Sequence, residues 1–171
     1  WLLELDTDGN IVDTVLIGGE GLQIGYSFVK SDLNGYTIVG ESSGGSGVTD
    51  ALMIRINADG EVDWTFQYGG VNNDVGYSII YSDGGWVLAG QTYNKSSGQG
   101  DAWLLKVSDF GELEWEQVYG GFYNDIATDI YLAQDQGFII CGSTYIQGNQ
   151  NDGWLIKTDS RGNYKGIVGY P

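Results

Sequence analysis

The chain has no histidine, one cysteine, one proline and seven basic residues. Each scarcity excludes something. Without histidine there is no Ser-His-Asp or Cys-His nucleophile activation, and the commonest zinc chemistry goes with it. A lone cysteine cannot form an intrachain disulfide. Cys141 sits in the apolar run Phe138-Ile139-Ile140-Cys141-Gly142 with no basic neighbour, so it reads as a small core residue and not as a reactive thiolate. Seven basic residues against 23 acidic ones leave a net charge of −16. That field repels nucleic acid and anionic membrane surfaces and attracts cations. No apolar run approaches the ~18 residues of a membrane-spanning helix, and no stretch sustains a helical period over three turns. The first residue is Trp1 and not Met, which reads as a processed or excised chain.

Glycine is what the chain has in excess, 29 of 171 residues, in a composition that is 42% apolar. Without a G-X-Y period, that much glycine points to many turns in an all-β repeat protein. A repeat is visible. Asp101-Ala102-Trp103-Leu104-Leu105-Lys106-Val107, then Gly111, Trp115 and Tyr119-Gly120-Gly121, has an earlier copy in Asp50-Ala51-Leu52-Met53-Ile54-Arg55-Ile56, Gly60, Trp64 and Tyr68-Gly69-Gly70. A later copy starts at Asp152-Gly153-Trp154, and the chain opens inside a further one. The hairpin glycines Gly9, Gly60, Gly111 and Gly162 recur every 51 residues.

Each full unit holds four short runs, here a to d, rich in β-branched and aromatic residues and bounded by Gly, Asp and Asn; these predict strands. In the middle unit they are Val75–Tyr81, Trp86–Gly90, Ala102–Val107 and Glu112–Tyr119. Runs a and b are apolar on both faces, d alternates apolar with polar, and c is intermediate because Lys106 shares a face with Leu104. A four-stranded meander, buried inside and wet outside, repeated at this spacing, predicts β-propeller blades. The expected units are a half blade over 1–19 and blades over about 20–70, 71–121 and 122–171. Trp64, Trp103, Trp115 and Trp154 would fill the space between them. A β-trefoil is the alternative, but it leaves the fourth c–d pair unexplained. That opening pair lacks its a and b strands, which places them upstream or requires a partner over the bare edge Trp1–Leu5.

These anchors, with Asn124-Asp125 after Tyr119-Gly120-Gly121 and Gly142-Ser143-Thr144 after run b, resemble the SBBP-type β-propeller repeats of secreted and surface proteins of bacteria and archaea. The resemblance spans the whole chain. It implies a secreted or cell-surface module for binding, adhesion or scaffolding, with a protein or glycan partner and no shared reaction. The first unit departs from the pattern, with Asp13 where Trp64 and Trp115 stand and Leu22-Gln23 where Asn73-Asp74 and Asn124-Asp125 stand.

Candidate functional residues follow from the meander, which gathers the b–c and d–a loops at one end. That end collects Asp74, Asp125, Asn73, Asn124, Tyr93 and Tyr145, the carboxylates, amides and aromatic faces that hold sugars or cations. Asp50, Asp101 and Asp152 precede run c in every unit and read as turn acceptors, with cation ligation as the alternative. Asp6-Thr7-Asp8-Gly9-Asn10 opens like a calcium loop but lacks the acidic twelfth residue. Calcium at Asp6 and Asp8 is the one cofactor left open, and no other is called for. Asn94-Lys95-Ser96 is an N-glycosylation sequon. A non-catalytic module is the leading expectation. A polysaccharide lyase or glycosidase using Asp74 and Asp125, or a subunit of a repeating surface assembly, are the alternatives.

Overall fold

The computed structural model describes residues 2–31, 35–44, 47–94, 99–146 and 150–167, all strand and turn, with no helix among them. The described residues form fourteen strands: β1 Leu2–Leu5, β2 Ile11–Val15, β3 Leu22–Ser31, β4 Gly35–Ser43, β5 Asp50–Ile56, β6 Val62–Tyr68, β7 Asp74–Tyr81, β8 Gly85–Thr92, β9 Asp101–Ser108, β10 Leu113–Tyr119, β11 Asp125–Leu132, β12 Phe138–Ile146, β13 Gln150–Thr158 and β14 Tyr164–Ile167. They form one hairpin, β1–β2, and three four-stranded antiparallel sheets in sequential order, β3–β6, β7–β10 and β11–β14. Each sheet falls within one repeat. The strands pair only inside their own unit and no sheet closes on itself among the described residues, which does not fit the barrel a β-trefoil requires.

The turns explain the sequential order. Each c–d hairpin carries its glycine in a left-handed conformation, φ 85° at Gly9, 81° at Gly60, 79° at Gly111 and 75° at Gly162, where a side chain would be strained. The first residue of each such turn also has a side-chain acceptor. Asp6 Oδ1 takes the amides of Asp8 and Asn10 at 2.9 and 2.8 Å. Asn57 Oδ1 takes those of Asp59 and Glu61 at 3.0 and 2.9 Å. Ser108 Oγ takes Phe110 and Glu112 at 3.2 Å each, and Asp159 Oδ1 takes Arg161 and Asn163 at 2.9 Å each. The sequence pattern shows only the glycine as shared. The structure adds an Asp/Asn/Ser acceptor three residues before it, held by one local geometry.

The sheets stack face to face. Strand β7 packs on β3, β4 and β5, and β11 packs on β7, β8 and β9. Alternation along β8 and β9 divides the middle sheet between two cores. Trp86, Leu88, Trp103, Leu105 and Val107 join Val39, Ala51 and Met53 of the first sheet. Val87, Ala89, Ala102 and Leu104 join Ala127, Ile130, Phe138, Ile140 and Ile156 of the third. A smaller cluster of Leu52, Ile54 and Ile56 meets Ile17 beyond the hairpin.

Three expectations about burial change. Strand β9 is buried on both faces and not intermediate; the Lys106 stem lies inside and its Nζ reaches Asp83 O at 3.3 Å and Val107 O at 3.4 Å, as long cationic side chains do. First strands are buried on both faces only in the middle sheet. Phe28 is exposed beside the hairpin and Tyr131 is exposed on the third sheet, because each of those strands has a sheet on one side alone. The fourth strands are wetter than their alternation implies, with Val62 and Phe66 exposed. Of that apolar face, Trp64 and Tyr68 are drawn in by the next unit's hairpin, through Trp64 Nε1 to Asp109 O at 3.2 Å and Tyr68 Oη to Gly111 O at 2.6 Å. Tyr119 Oη likewise donates to Gly162 O. Trp103 is buried in the first core, while Trp115 and Trp154 are half-buried against the second.

Candidate functional site

The starts of strands a and c and the ends of b and d meet at one end of each sheet. Register places a polar row across the first three strands: Gln23–Ser42–Asp50 in the first sheet, Asp74–Thr92–Asp101 in the second and Asp125–Thr144–Asp152 in the third. Stacking then sets the last acid of one row against the first acid of the next.

Each junction uses the same backbone latch. The Asp74 amide donates to Thr49 O at 2.7 Å and the Asp125 amide to Gly100 O at 2.8 Å, in both cases the residue before strand c of the preceding sheet. Asp74 Oδ2 accepts from the Gly70 amide at 3.0 Å, and Asp125 Oδ2 from the Gly121 amide at 3.1 Å. Tyr93 and Tyr145 donate their amides to Asn73 O at 3.1 Å and Asn124 O at 2.9 Å. Both asparagine side chains brace the junction: Asn73, exposed, accepts the Thr49 amide on Oδ1 at 3.0 Å, and Asn124 Oδ1 accepts from Gln91 Nε2 at 2.8 Å and Tyr93 Oη at 3.4 Å.

The carboxylates are buried. Asp74 is 0% exposed, Asp125 3% and Asp101 5%. Asp50 Oδ1 and Asp74 Oδ2 both lie within 2.5 Å of where a Cβ on Gly69 would sit; Asp101 Oδ1 and Asp125 Oδ2 do the same at Gly120. Only glycine fits between them, and the two carboxylates face each other across its Cα–H. The Oδ1 atoms of Asp50, Asp74 and Asp101 are buried without a hydrogen-bond partner. Burial alone raises the carboxyl of Asp50 above its ordinary range. Burial raises Asp74 as well, against hydrogen bonds from Thr92 and Gly70 and with the charge of Asp50 adding to it. Asp101 is pushed up to about 6 by burial and then by the charge of Asp125, against the Gly121 amide, which favours the ionised form.

The remaining candidates separate from this junction. Asp6 lies in the first c–d turn, and its oxygens are occupied by Asp8, Asn10 and the Asn10 side chain at 2.9 Å; those bonds from Asn10 lower its carboxyl. Asp8 is exposed in the same turn. No group of three or more His, Cys, Asp or Glu converges among the described residues. Asp152 is half-buried at the third row. Asn94 carries the sequon, whose Lys95 and Ser96 lie outside the described residues. Its Nδ2 donates to Asp74 Oδ2, and its Oδ1 accepts the Asn72 amide at 2.9 Å, so the amide a glycan would occupy is engaged. Tyr145 packs at a tilt on Tyr123, ring centroids 5.4 Å apart, beside an open groove of about 440 Å³ that also includes Phe122 and Trp154. A second groove of about 440 Å³ is lined by Val48, Val71, Asn72, Asn73 and Tyr93.

Sequence reasoning put Asp50 and Asp101 in one role and Asp74 and Asp125 in another. The structure pairs them, Asp50 with Asp74 and Asp101 with Asp125. Their equal spacing follows from the 51-residue period and carries no mark of the contact between them. No protein-family model matches the chain, and no curated protein matches it.

Proposed function

We propose that this chain is a β-propeller-type binding module of a secreted or cell-surface protein, with no catalytic role, whose b–c/d–a face presents variable loops to a glycan or protein partner. One observation carries the reading. The two junctions share the same backbone latch, yet they display different side chains outward, Val71 and Asn72 at the first and Phe122 and Tyr123 at the second. Fixed frames with varied exposed tips are how scaffolds carry binding. Phe122 is 69% exposed and Val71 85%. The stacking of consecutive sheets through their first strands is what successive blades require, and the SBBP-type resemblance agrees with a surface location. Burial of Asp74 and Asp125 weighs against the glycosidase alternative, because neither carboxylate is open to a polysaccharide.

The test is a glycan array probed with the full chain, repeated with Phe122→Ala/Tyr123→Ala. Binding lost in the double variant supports the glycan reading, and a blank array overturns it in favour of a protein partner. A second reading, a subunit of a repeating assembly, draws on β1, which pairs with β2 alone among the described residues and exposes Leu3 and Leu5. Light scattering decides it, since a monomer at high concentration removes that reading.

A further inference from the structure

We propose that each junction between consecutive sheets is a binding site for a hard divalent cation of the calcium class, held by Asp50 and Asp74 at the first and by Asp101 and Asp125 at the second. The sites lie on the face assigned to partner binding but do not depend on it; either idea can fail alone.

The geometry is the first argument. Two carboxylates converge on one glycine, twice, with the same atoms: an unpartnered Oδ1 from the start of strand c, and from the start of the next strand a an Oδ2 that also accepts the Gly70 amide and Asn94 Nδ2 at the first junction and the Gly121 amide at the second. The second argument is independent of the clustering. Asp101 is 5% exposed, and the oxygen it aims at Gly120 has no hydrogen-bond partner; Asp50, half-buried, aims an unpartnered Oδ1 at Gly69. A buried carboxylate oxygen left unpaired beside a second carboxylate is costly unless something positive sits there. No described Lys or Arg pairs with these four residues; the buried cations Arg55 and Lys106 donate at the opposite end.

Calcium fits this donor set better than magnesium or zinc. It takes six to eight oxygens in flexible geometry, including backbone carbonyls and water, whereas zinc selects nitrogen and sulfur and magnesium demands a tight octahedron. Two carboxylates without a third make a weak site. The expected dissociation constant is therefore ~0.1–1 mM, the range of extracellular modules. A net charge of −16 raises local cation concentration further.

The experiment is thermal unfolding of the chelator-treated full chain at pH 7.5, with CaCl₂ added at constant ionic strength. Calcium at tenfold over its dissociation constant should raise Tm by ~3–6 °C per site, with a smaller response to MgCl₂. Asp101→Asn should remove part of that rise and Asp50→Asn/Asp101→Asn all of it. Both variants should melt above the wild type when calcium is absent, because the repulsion is gone. A wild-type Tm indifferent to calcium, but raised equally with and without it on lowering the pH to 5.5, would show a shared proton instead and overturn the proposal. So would a calcium response that survives in the double variant. Should the variants fail to fold, terbium luminescence on the wild type replaces them. Emission sensitised by the neighbouring Tyr119 and Trp103 and displaced by calcium is expected, and its absence counts against the site.

Discussion

The two ends of the sheets treat buried charge in opposite ways. At the a–b/c–d end, each four-stranded sheet brings in one cation from strand c and surrounds it with acceptors. Arg55 Nη1 donates to Ile56 O at 2.7 Å and Tyr36 O at 3.2 Å, and its guanidinium lies 5.7 Å from the Trp86 ring centroid. Lys106 reaches two carbonyls and lies 3.6 Å from Glu114. Lys157 donates to Asp135 Oδ1 at 2.7 Å and Thr158 O at 2.8 Å. At the b–c/d–a end each junction brings two carboxylates together and leaves oxygens unpaired. Interactions repeated in every unit and satisfied within the chain are what hold a repeat together. Interactions repeated and left unsatisfied are where a second molecule or ion has something to gain.

The largest expected effect comes from disturbing the end that holds the buried cations. A Cβ on Gly85 would press on the Val107 carbonyl and sit 2.7 Å from Lys106 Nζ. Both are buried, so neither yields easily. We expect Gly85→Ala to cost about 3 kcal/mol in denaturant unfolding; a loss within experimental error would mean that the cation is not confined there. Next in size is Arg55→Met, which keeps most of the stem but takes a charged donor away from two carbonyls. The expected loss is about 2 kcal/mol. An unchanged midpoint would assign this residue's contribution to its stem alone, and the contrast between the ends would lose one member.

Why one end was legible in the sequence and the other was not has a physical reason. The repeat period, four strands per unit and the turn glycines are local: each depends on residues within a few positions, so spacing reveals them. The hairpin acceptors Asp6, Asn57, Ser108 and Asp159 were equally local but disguised, because three residue types perform one hydrogen-bonding task. The carboxylate pairs belong to different strands of different sheets, and nothing local links Asp101 to Asp125. Burial departs from the sequence pattern for a related reason. Lys106 reads as polar in a pattern of faces, yet its stem is apolar and its head finds carbonyls at the sheet's end.

Titration separates the two ends without mutation. Asp50, Asp74 and Asp101 have folded-state carboxyls raised above their ordinary range, Asp101 to about 6. The folded chain therefore binds protons more tightly than the unfolded one, and stability should rise as pH falls from above 6 toward the unfolded value of ~4. Asp6, Asp135 and Asp159 are lowered, first by hydrogen bonds from Asn10, Lys157 and Asn163 respectively. Their contribution is present above the ordinary carboxylate range and is lost as pH drops below it. We expect Tm without calcium to be higher at pH 5 than at pH 7.5, by about 2–4 °C, and to fall again by pH 3. A monotonic decline from pH 7.5 would mean that the junction carboxylates are not strained by their burial.

The smallest expected effect tests whether the acceptors at the closed end act only on the turn. Ser108 is the one hydroxyl among four equivalent positions, and its two bonds, 3.2 Å each, are longer than the 2.9 and 3.0 Å that Asn57 makes. Ser108→Asn should copy the Asn57 geometry and add no charge to an already acidic chain. The two amides it serves are exposed, so water competes for them and the gain should be only about 0.5 kcal/mol. A gain of that size, unaffected by calcium and by pH between 5 and 7.5, would mark the turn as a structural device independent of the opposite end. A gain that varied with either would mean that strand c transmits changes from the Asp101 junction to the hairpin at its far end, and the two ends could no longer be treated as separate.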